Sequence, residues 1–184
     1  MSPSRTRKIV IAGVLSAISI LLAVTPIGYL ITIAGVSATT MHIPVIIGAI
    51  LEGPVVGALI GLVFGVTSLI RAAVAPNGPV DPLFINPLLS VLPRLFIGPV
   101  AWLAWSALRR WRVAGLLAAG IAGSLTNTVL VLGMFGVLGL APWALVLTVA
   151  VTNGLPEIAA SALLVLLVLA IWLQVDTGRK GADL

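Results

Sequence analysis

The sequence has 184 residues, of which 60% are hydrophobic and 8% are charged, with a mean hydropathy of +1.25 and a formal net charge of +5. A soluble domain needs a polar surface, so this composition places the chain in a lipid bilayer. About six spans of roughly 20 residues each would use nearly all of the 184 residues, which leaves no room for a soluble catalytic domain. It has no cysteine, one histidine and no P-loop pattern, which excludes disulfides, thiol chemistry, paired-histidine metal sites and ATP hydrolysis through a P-loop.

Six apolar stretches follow one another along the chain, and roughly 20 apolar residues make one helical crossing. The prediction is an all-α integral membrane protein, a single compact bundle of six transmembrane helices that forms one domain over residues 1–184. The expected spans are 9–24, 43–52, 55–73, 87–108, 113–138 and 143–173.

The first span follows a basic flank that contains Arg5, Arg7 and Lys8. Such a flank before a short apolar run is also typical of a signal peptide. No clear small-x-small cleavage site follows closely, however, and the remaining chain is itself membrane-like, so the segment is interpreted as a span. Residues 26–43 are mixed in character and are predicted to form an external loop, with a re-entrant or a short extended segment.

The second span begins near Pro44, whose fixed φ suits a first helical turn, and it is too short to cross without the preceding loop. A turn at Glu52-Gly53-Pro54, with Glu52 expected in solvent, leads to the third span. This span carries glycines at a spacing of four, which places them on one helix face. The smooth ridge predicts close approach by another helix, and therefore architecture more than chemistry. The ridge consists of Gly53, Gly57, Gly61 and Gly65.

A loop rich in proline and glycine covers 74–86, and the fourth span follows with Asn86 as its predicted N-cap. Pro93 and Pro99 are expected to bend this span. The fifth span carries a second smooth ridge at Gly115, Ala119 and Gly123.

The last apolar stretch, 143–173, has 31 residues. At 1.5 Å per residue it would be about 46 Å long, which exceeds the hydrocarbon thickness of about 30 Å. It must tilt, protrude or break, and Asn153-Gly154-Leu155-Pro156 is the predicted break because proline cannot donate a helical hydrogen bond.

The basic residues predict the orientation. With six spans, the two termini and the loop between spans four and five fall on one side, which the positive-inside rule makes cytoplasmic. That side holds eight of the ten basic residues: Arg5, Arg7, Lys8, Arg109, Arg110, Arg112, Arg179 and Lys180. The two exceptions, Arg71 and Arg94, map to the outer half.

Three consecutive spans each carry a polar stripe in this outer half. The stripes are Asn86, Ser90 and Arg94 in the fourth span, Ser124 and Asn127 in the fifth, and Asn153, Glu157 and Ser161 in the sixth. Buried polar groups need partners, and a charge at a helix centre costs about 2.5–3.5 kcal/mol on insertion scales. The stripes therefore predict a small-molecule pocket, with Arg71 and His42 as further candidates at its rim. The alternative is an internal Arg94–Glu157 ion pair, with amides joining the helices.

Four runs of sequence resemble the membrane-embedded S components of energy-coupling factor (ECF) vitamin transporters, and among these the pantothenate-type proteins. The runs are TMHIPVIIGAILEGPVVGALIGLVFGVTSLIRA, INPLLSVLPRLFIGPVAW, SLTNTVLVLG and NGLPEIAASALL. The resemblance implies a vitamin-binding subunit in the bacterial plasma membrane that captures its ligand from outside beneath a mobile loop. It also implies docking to a membrane T component that carries two cytoplasmic ATPases, and no cofactor, metal or nucleic acid.

The resemblance also indicates where docking and binding occur. S components usually carry an Ala-x-x-x-Ala motif on the first helix for docking, and the matching positions here are Gly13 and Ala17, which keep the surface small. Pantothenate would offer a carboxylate to Arg94, and an amide and hydroxyls to Asn127, Asn153 and Glu157.

Several alternatives remain open from the sequence. The same side chains would serve another vitamin or precursor, such as folate, pyridoxine, hydroxymethylpyrimidine or riboflavin. An integral-membrane enzyme is disfavoured because His42 lies at a rim, the three aspartates lie in loops or the tail, and no paired-aspartate metal motif exists. A purely structural subunit or an ion channel is disfavoured because the polar residues are confined to one half of the bundle.

Overall fold

The computed structural model describes residues 5–33, 36–76 and 80–179, and within these ranges the chain is a helical bundle with one β-hairpin. The predicted loop positions 34–35 and 77–79, and the basic residue Lys180, lie outside the described residues. The elements are α1 (Arg5–Val24), β1 (Tyr29–Ile33), β2 (Val36–Thr39), α2 (Ile43–Glu52), α3 (Pro54–Val74), α4 (Pro87–Ser90), α5 (Leu92–Leu108), α6 (Arg112–Val137), α7 (Trp143–Thr152) and α8 (Gly154–Arg179).

Within the described ranges, five helical segments are long and apolar enough to cross a bilayer. They are Arg5–Val24, Pro54–Val74, Pro87–Leu108, Arg112–Val137 and Trp143–Trp172. The ten-residue α2 is a shorter apolar helix. The chain is therefore a multi-pass helical membrane protein, while the crossing of α2 and the side on which the termini lie stay predictions.

The segment before α2 is extended. This is one of the two forms expected for the loop at residues 26–43. Strands β1 and β2 pair antiparallel, with Tyr29 opposite Thr39. The amide of Thr40 donates to the carbonyl of Gly28 at 3.0 Å and closes the base of the hairpin. His42 follows directly and precedes the first turn of α2, where Pro44 lies as predicted. The hairpin therefore delivers two polar side chains, Thr39 and His42, to the end of the bundle where α2 begins.

The glycine ridge of α3 packs against α5 and the end of α4 at backbone distance. A Cβ atom on Gly57 would lie 2.9 Å from the Cα of Gly98, and one on Gly65 would lie 2.7 Å from the carbonyl oxygen of Ser90. At Gly61 the nearest atom is the carbonyl oxygen of Arg94 itself. The predicted close approach is confirmed, and it fixes where Arg94 lies relative to α3. Gly53 has a different role, because its φ of +98° shapes the turn between α2 and α3.

A second close contact joins α6 to α8. A Cβ on Gly120 would lie 2.7 Å from the Cα of Ala162, and the hydroxyl of Ser161 donates to the carbonyl of Gly120 at 3.2 Å. Further along, a Cβ on Gly154 would lie 3.3 Å from Thr128. Residues later in α6 therefore contact residues earlier in α8, so the two helices are antiparallel.

Two apolar clusters fill the bundle. The larger one contains Ile46, Ile60 and Phe64, and the smaller one contains Leu89 and Phe135. Burial of such side chains against one another lets the helices pack closely, and their shapes set the spacing between the helices.

The predicted helix break before Pro156 is present and the chain also breaks beside Pro93, whereas α5 continues through Pro99, where a bend was also expected. α7 ends at Thr152 and α8 begins at Gly154, which confirms the break before Pro156. The fourth span is divided into α4 and α5 at Val91. Pro93 lies just after this point and has no N–H to give to the carbonyl of Leu89, four residues earlier. That carbonyl is therefore free to accept from another donor.

One expectation about a charged residue was wrong. Glu52 was expected in solvent, but only 7% of its surface is exposed, and its carboxylate lies 3.0 Å from Arg7 Nε. The turn at Gly53-Pro54 folds α3 back beside α2, and the start of α1 covers the carboxylate. An arginine on α1 therefore holds the end of α2, an arrangement that the spacing of residues along the chain does not reveal.

Candidate functional site

Three polar side chains converge on the carboxylate of Glu157. We call the four residues the Glu157 cluster: Thr39, His42, Asn127 and Glu157. The hydroxyl of Thr39 donates to Glu157 Oε1 at 3.3 Å, and Nδ2 of Asn127 donates to the same oxygen at 3.5 Å. His42 Nδ1 lies 3.3 Å from it, a polar contact that lacks hydrogen-bond alignment. Residues separated by up to 118 positions thus share one acceptor atom.

The packing described above explains this convergence. The antiparallel contact of α6 with α8 places Asn127 beside Glu157, one turn before Ser161. The hairpin ends at Thr39, and His42 follows it with no exposed surface. The cluster therefore depends on the hairpin as well as on the helices.

Arg94, on the first turn of α5, is 6% exposed, and its environment is aromatic. Its Cζ lies 5.3 Å from the ring centroid of Phe64 on α3 and 5.4 Å from that of Phe84, which belongs to the short 3₁₀ turn Asp81–Ile85. Nη1 donates to the carbonyl of Leu89, the one that Pro93 leaves without its helical donor. Aromatic faces attract a cation without neutralising its charge.

Arg94 has no counter-ion in contact among the described residues. Within the part of the chain that the structure describes, the pairs of oppositely charged side chains within 4.0 Å are Arg7 with Glu52 and Arg71 with Asp81. Glu157 acts on Arg94 only from farther away. The direct Arg94–Glu157 ion pair, which the sequence left open as an alternative, is therefore not present. Buried charges in proteins are normally paired, so a buried arginine in this setting favours an anionic ligand.

Several other buried polar atoms near these residues lack a hydrogen-bond partner in the part of the chain that the structure describes. They are Arg94 Nε, His42 Nε2, Asn127 Oδ1, Ser124 Oγ and Thr128 Oγ1. Ser124, Asn127 and Thr128 all belong to α6 and lie within about one helical turn of one another. Such atoms are costly to bury alone, and a polar ligand would satisfy both donors and acceptors among them.

The remaining predicted site residues take local roles or border the cluster. Asn86 caps α4 as predicted, accepting from the amide of Leu88 at 3.0 Å. The hydroxyl of Ser90 donates to the carbonyl of Phe84. Arg71 pairs with Asp81 at 2.8 Å, which ties the end of α3 to the following loop. Asn153 is buried at the break between α7 and α8, next to the contact of Gly154 with Thr128.

The predicted docking residues lie on an open surface. Gly13 and Ala17 are exposed on α1, and a Cβ on Gly13 would meet no atom within 4 Å. This face of α1 is accessible to another helix at close range.

Sequence reasoning missed Thr39, Thr128, Phe64 and Phe84. Thr39 belongs to a polar run just before His42, and Thr128 follows Asn127, so both could have been suspected from their neighbours. Nothing in the sequence distinguishes Phe64 and Phe84 from other apolar residues. Their role arises only from the packing of α3 and the 3₁₀ turn against α5.

The chemistry of the site favours a small anionic, polar ligand. It offers a cation, an acceptor carboxylate, amides and hydroxyls, and the described residues contain no group of three metal-ligating side chains. Charge-assisted hydrogen bonds from arginine suit a carboxylate in particular.

The chain is similar to known membrane transporters. Residues 7–169 match the family model described as ECF transporter, substrate-specific component. The chain is 34% identical over 111 residues to the pantothenic acid transporter PanT of Lactococcus lactis subsp. cremoris, which covers 53% of this chain and 55% of that protein. It is 32% identical over 138 residues to the pantothenate transporter PanT of Leuconostoc mesenteroides, covering 70% of this chain and 68% of that protein.

The family and both relatives are transporters, which sets aside the membrane-enzyme alternative. The family match spans most of the chain, including α1, the glycine ridge, Arg94 and the Glu157 cluster. From its sequence and its helical membrane fold, the chain belongs to the family of ECF transporter substrate-specific components.

Proposed function

We propose that this chain is the high-affinity vitamin-binding subunit of an ECF importer and that its ligand is pantothenate. It captures the vitamin from outside, with six crossings and cytoplasmic termini, and delivers it through a T component and two ATPases. The names of the two relatives support the ligand. The family supports a subunit that recognises a substrate.

The observation that carries the proposal is that Arg94 is buried and contacts no carboxylate among the residues that the structure describes. Pantothenate is an acid, so its carboxylate would complete this pair through charge-assisted hydrogen bonds. A neutral vitamin would leave the charge uncompensated, and the cost of an unpaired buried charge would oppose its binding.

The Glu157 cluster suits the rest of the molecule. Pantothenate has hydroxyl groups and an amide, which donate and accept hydrogen bonds. Glu157 is an acceptor, whereas Asn127 and Ser124 offer both donors and acceptors. Because His42, Asn127 and Glu157 are buried, entry of the ligand would require the hairpin or the 3₁₀ turn to move aside.

The proposal is tested by ligand binding to the purified protein, measured by calorimetry. The ligands are pantothenate, its uncharged alcohol analogue, folate, pyridoxine, hydroxymethylpyrimidine and riboflavin. We expect saturable binding of pantothenate and much weaker binding of the alcohol. In Arg94→Ala the affinity for pantothenate should fall at least 100-fold, because a lost charged hydrogen-bond pair costs about 3 kcal/mol or more. The control Arg110→Ala removes an exposed arginine and should bind normally.

Two results would contradict the proposal. If another vitamin saturates the protein while pantothenate does not, the ligand assignment is wrong and the family assignment stands. If Arg94→Ala binds pantothenate with unchanged affinity, the carboxylate lies elsewhere. Thermal unfolding of each variant in detergent distinguishes loss of a contact from loss of the fold.

A further inference from the structure

The two rings beside Arg94 come from different parts of the bundle. Phe64 is fully packed within the larger apolar cluster, on the α3 face that approaches α5 through Gly61. Phe84 lies on the 3₁₀ turn, with its ring 5.7 Å from that of Phe135 and tilted by 53°. Arg94 is thus located where the two apolar clusters meet.

The turn that carries Phe84 is fastened on both sides. Before it, Asp81 pairs with Arg71 of α3 at 2.8 Å. After it, the carbonyl of Phe84 accepts from the hydroxyl of Ser90 on α4. These contacts fix the position of the ring, because both ends of the short turn are bound to helices. The predicted polar residues Arg71 and Ser90 therefore contribute to the site through Phe84.

The third restraint on Arg94 is a carbonyl. Pro93 leaves the carbonyl of Leu89 without a helical donor, and Nη1 of Arg94 donates to it. Together the two rings and this carbonyl hold the guanidinium in place without a carboxylate. The rings attract the cation through their faces, so they compete little for the N–H groups that lie in the guanidinium plane.

We propose that Phe64, Phe84 and Pro93 are positioning residues that set the preference of the protein for an acid over its uncharged analogue. This inference rests on the proposed binding of pantothenate. The residues act through Arg94: they keep it charged, oriented and unpaired until a ligand carboxylate arrives. A carboxylate side chain in their place would compete with the ligand for the same N–H groups.

The test is a thermodynamic cycle between a side chain and the ligand carboxylate. Affinities for pantothenate and for its alcohol analogue are measured by calorimetry in the unmodified protein, Phe84→Leu and Phe84→Tyr. In Phe84→Leu, the affinity ratio of acid to alcohol should fall about tenfold, or about 1.4 kcal/mol, which lies between the values for an exposed and a desolvated cation–π contact. Phe84→Tyr retains the aromatic face and should retain the ratio.

Phe96→Leu is the matched control. Phe96 is on the same helix as Arg94 but is 48% exposed, away from the site, so both affinities should be unchanged. Pro93→Ala restores an N–H that competes with Arg94 for the carbonyl of Leu89. It should lower the ratio in the same direction.

The outcomes separate the inference from the proposed function. If the unmodified protein binds no pantothenate, or does not prefer it to the alcohol, the proposed function fails first. If the preference exists but Phe84→Leu weakens both ligands equally, the ring acts as a structural or direct ligand contact, and the inference is wrong. An unchanged ratio in Phe84→Leu, or a reduced ratio in Phe84→Tyr, would equally overturn it.

Discussion

Glu157 is the side chain on which the polar cluster depends, because its Oε1 atom accepts from two side chains and lies beside a third. Thr39 and Asn127 donate to it, and His42 Nδ1 lies 3.3 Å away. At this depth water does not replace a lost acceptor. The cluster is therefore expected to respond to the loss of hydrogen-bonding capacity more than to the loss of charge.

Two substitutions of Glu157 separate these properties. Glu157→Leu leaves the buried donor of Asn127 unsatisfied, which costs about 1–3 kcal/mol, and removes the acceptor of the part-buried Thr39 hydroxyl. We expect a lower unfolding temperature in detergent and loss of pantothenate binding. Glu157→Gln keeps an acceptor oxygen and removes a negative charge near an anionic ligand, so affinity should be retained or increased. If Gln abolished binding as completely as Leu, the charge would be the essential property.

The sequence located many of these residues but not their contacts. Periodicity placed Asn127 and Glu157 on the polar faces of their helices, because a spacing of three or four residues defines a face. It could not show that Thr39, 118 positions away, would share the acceptor. It also could not show that Arg94 would meet two phenylalanines instead of Glu157, because the rotation of each helix depends on packing with its neighbours.

At the level of elements, the contact between α3 and α5 sets the geometry of the cation. Gly57 meets Gly98, and Gly61 meets the backbone of Arg94, so the helices approach without intervening side chains. Phe64 follows Gly61 by three residues and therefore lies on the same side of α3. The glycine ridge, predicted to serve architecture, thus determines the distance between Arg94 and one of its rings.

Gly61→Ala tests this contact. Its Cβ would overlap the carbonyl oxygen of Arg94, so α5 must shift, and such overpacking typically costs about 1–3 kcal/mol. We expect lower thermal stability and weaker binding of pantothenate in the same variant. Gly133→Ala on α6 is the control, since its Cβ would meet no atom within 4 Å and it should be at least as stable as the unmodified protein. Equal behaviour of the two variants would contradict the proposed contact.

The elements themselves were largely predictable, for physical reasons. Bilayer thickness demands long apolar helices, so hydropathy found all the long spans. Proline cannot continue a helical hydrogen-bond ladder, so the break before Pro156 was visible, and Asn86 is a typical N-cap. The hairpin was foreseen only as one form of a loop, because strand pairing depends on partners and not on local composition alone.

At the level of the whole molecule, α1 is the most peripheral of the described long helices. Only 11% of the residues in its most apolar 18-residue stretch are buried, compared with 33–50% in the corresponding stretches of the other long helices. Arg7 pairs with Glu52, and the hydroxyl of Ser19 donates to the carbonyl of Met41 at 3.2 Å. These contacts attach one face of α1 to the bundle, while the face with Gly13 and Ala17 remains exposed.

Gly13→Leu tests the proposed docking of a T component on this face. The bulky side chain should prevent close helix approach and abolish copurification with a coexpressed T component and its ATPases. Pantothenate binding by the isolated protein should be unchanged, because a Cβ on Gly13 would meet no atom within 4 Å. Gly133→Leu introduces the same side chain at another open helix surface and should copurify normally. Copurification of Gly13→Leu at the normal level would refute this docking surface.

The uncompensated charge of Arg94 also has a thermodynamic consequence for the life of the protein. A ligand that binds only the folded form stabilises it by about 2.7 kcal/mol when its concentration is 100 times Kd. Under the proposed function, the subunit without pantothenate keeps Arg94 buried with no contacting carboxylate among the described residues, so it is the form closer to unfolding. Resistance to heat and to proteases should therefore rise with the supply of the acid, and the abundance of the subunit in the membrane would follow the availability of its own ligand.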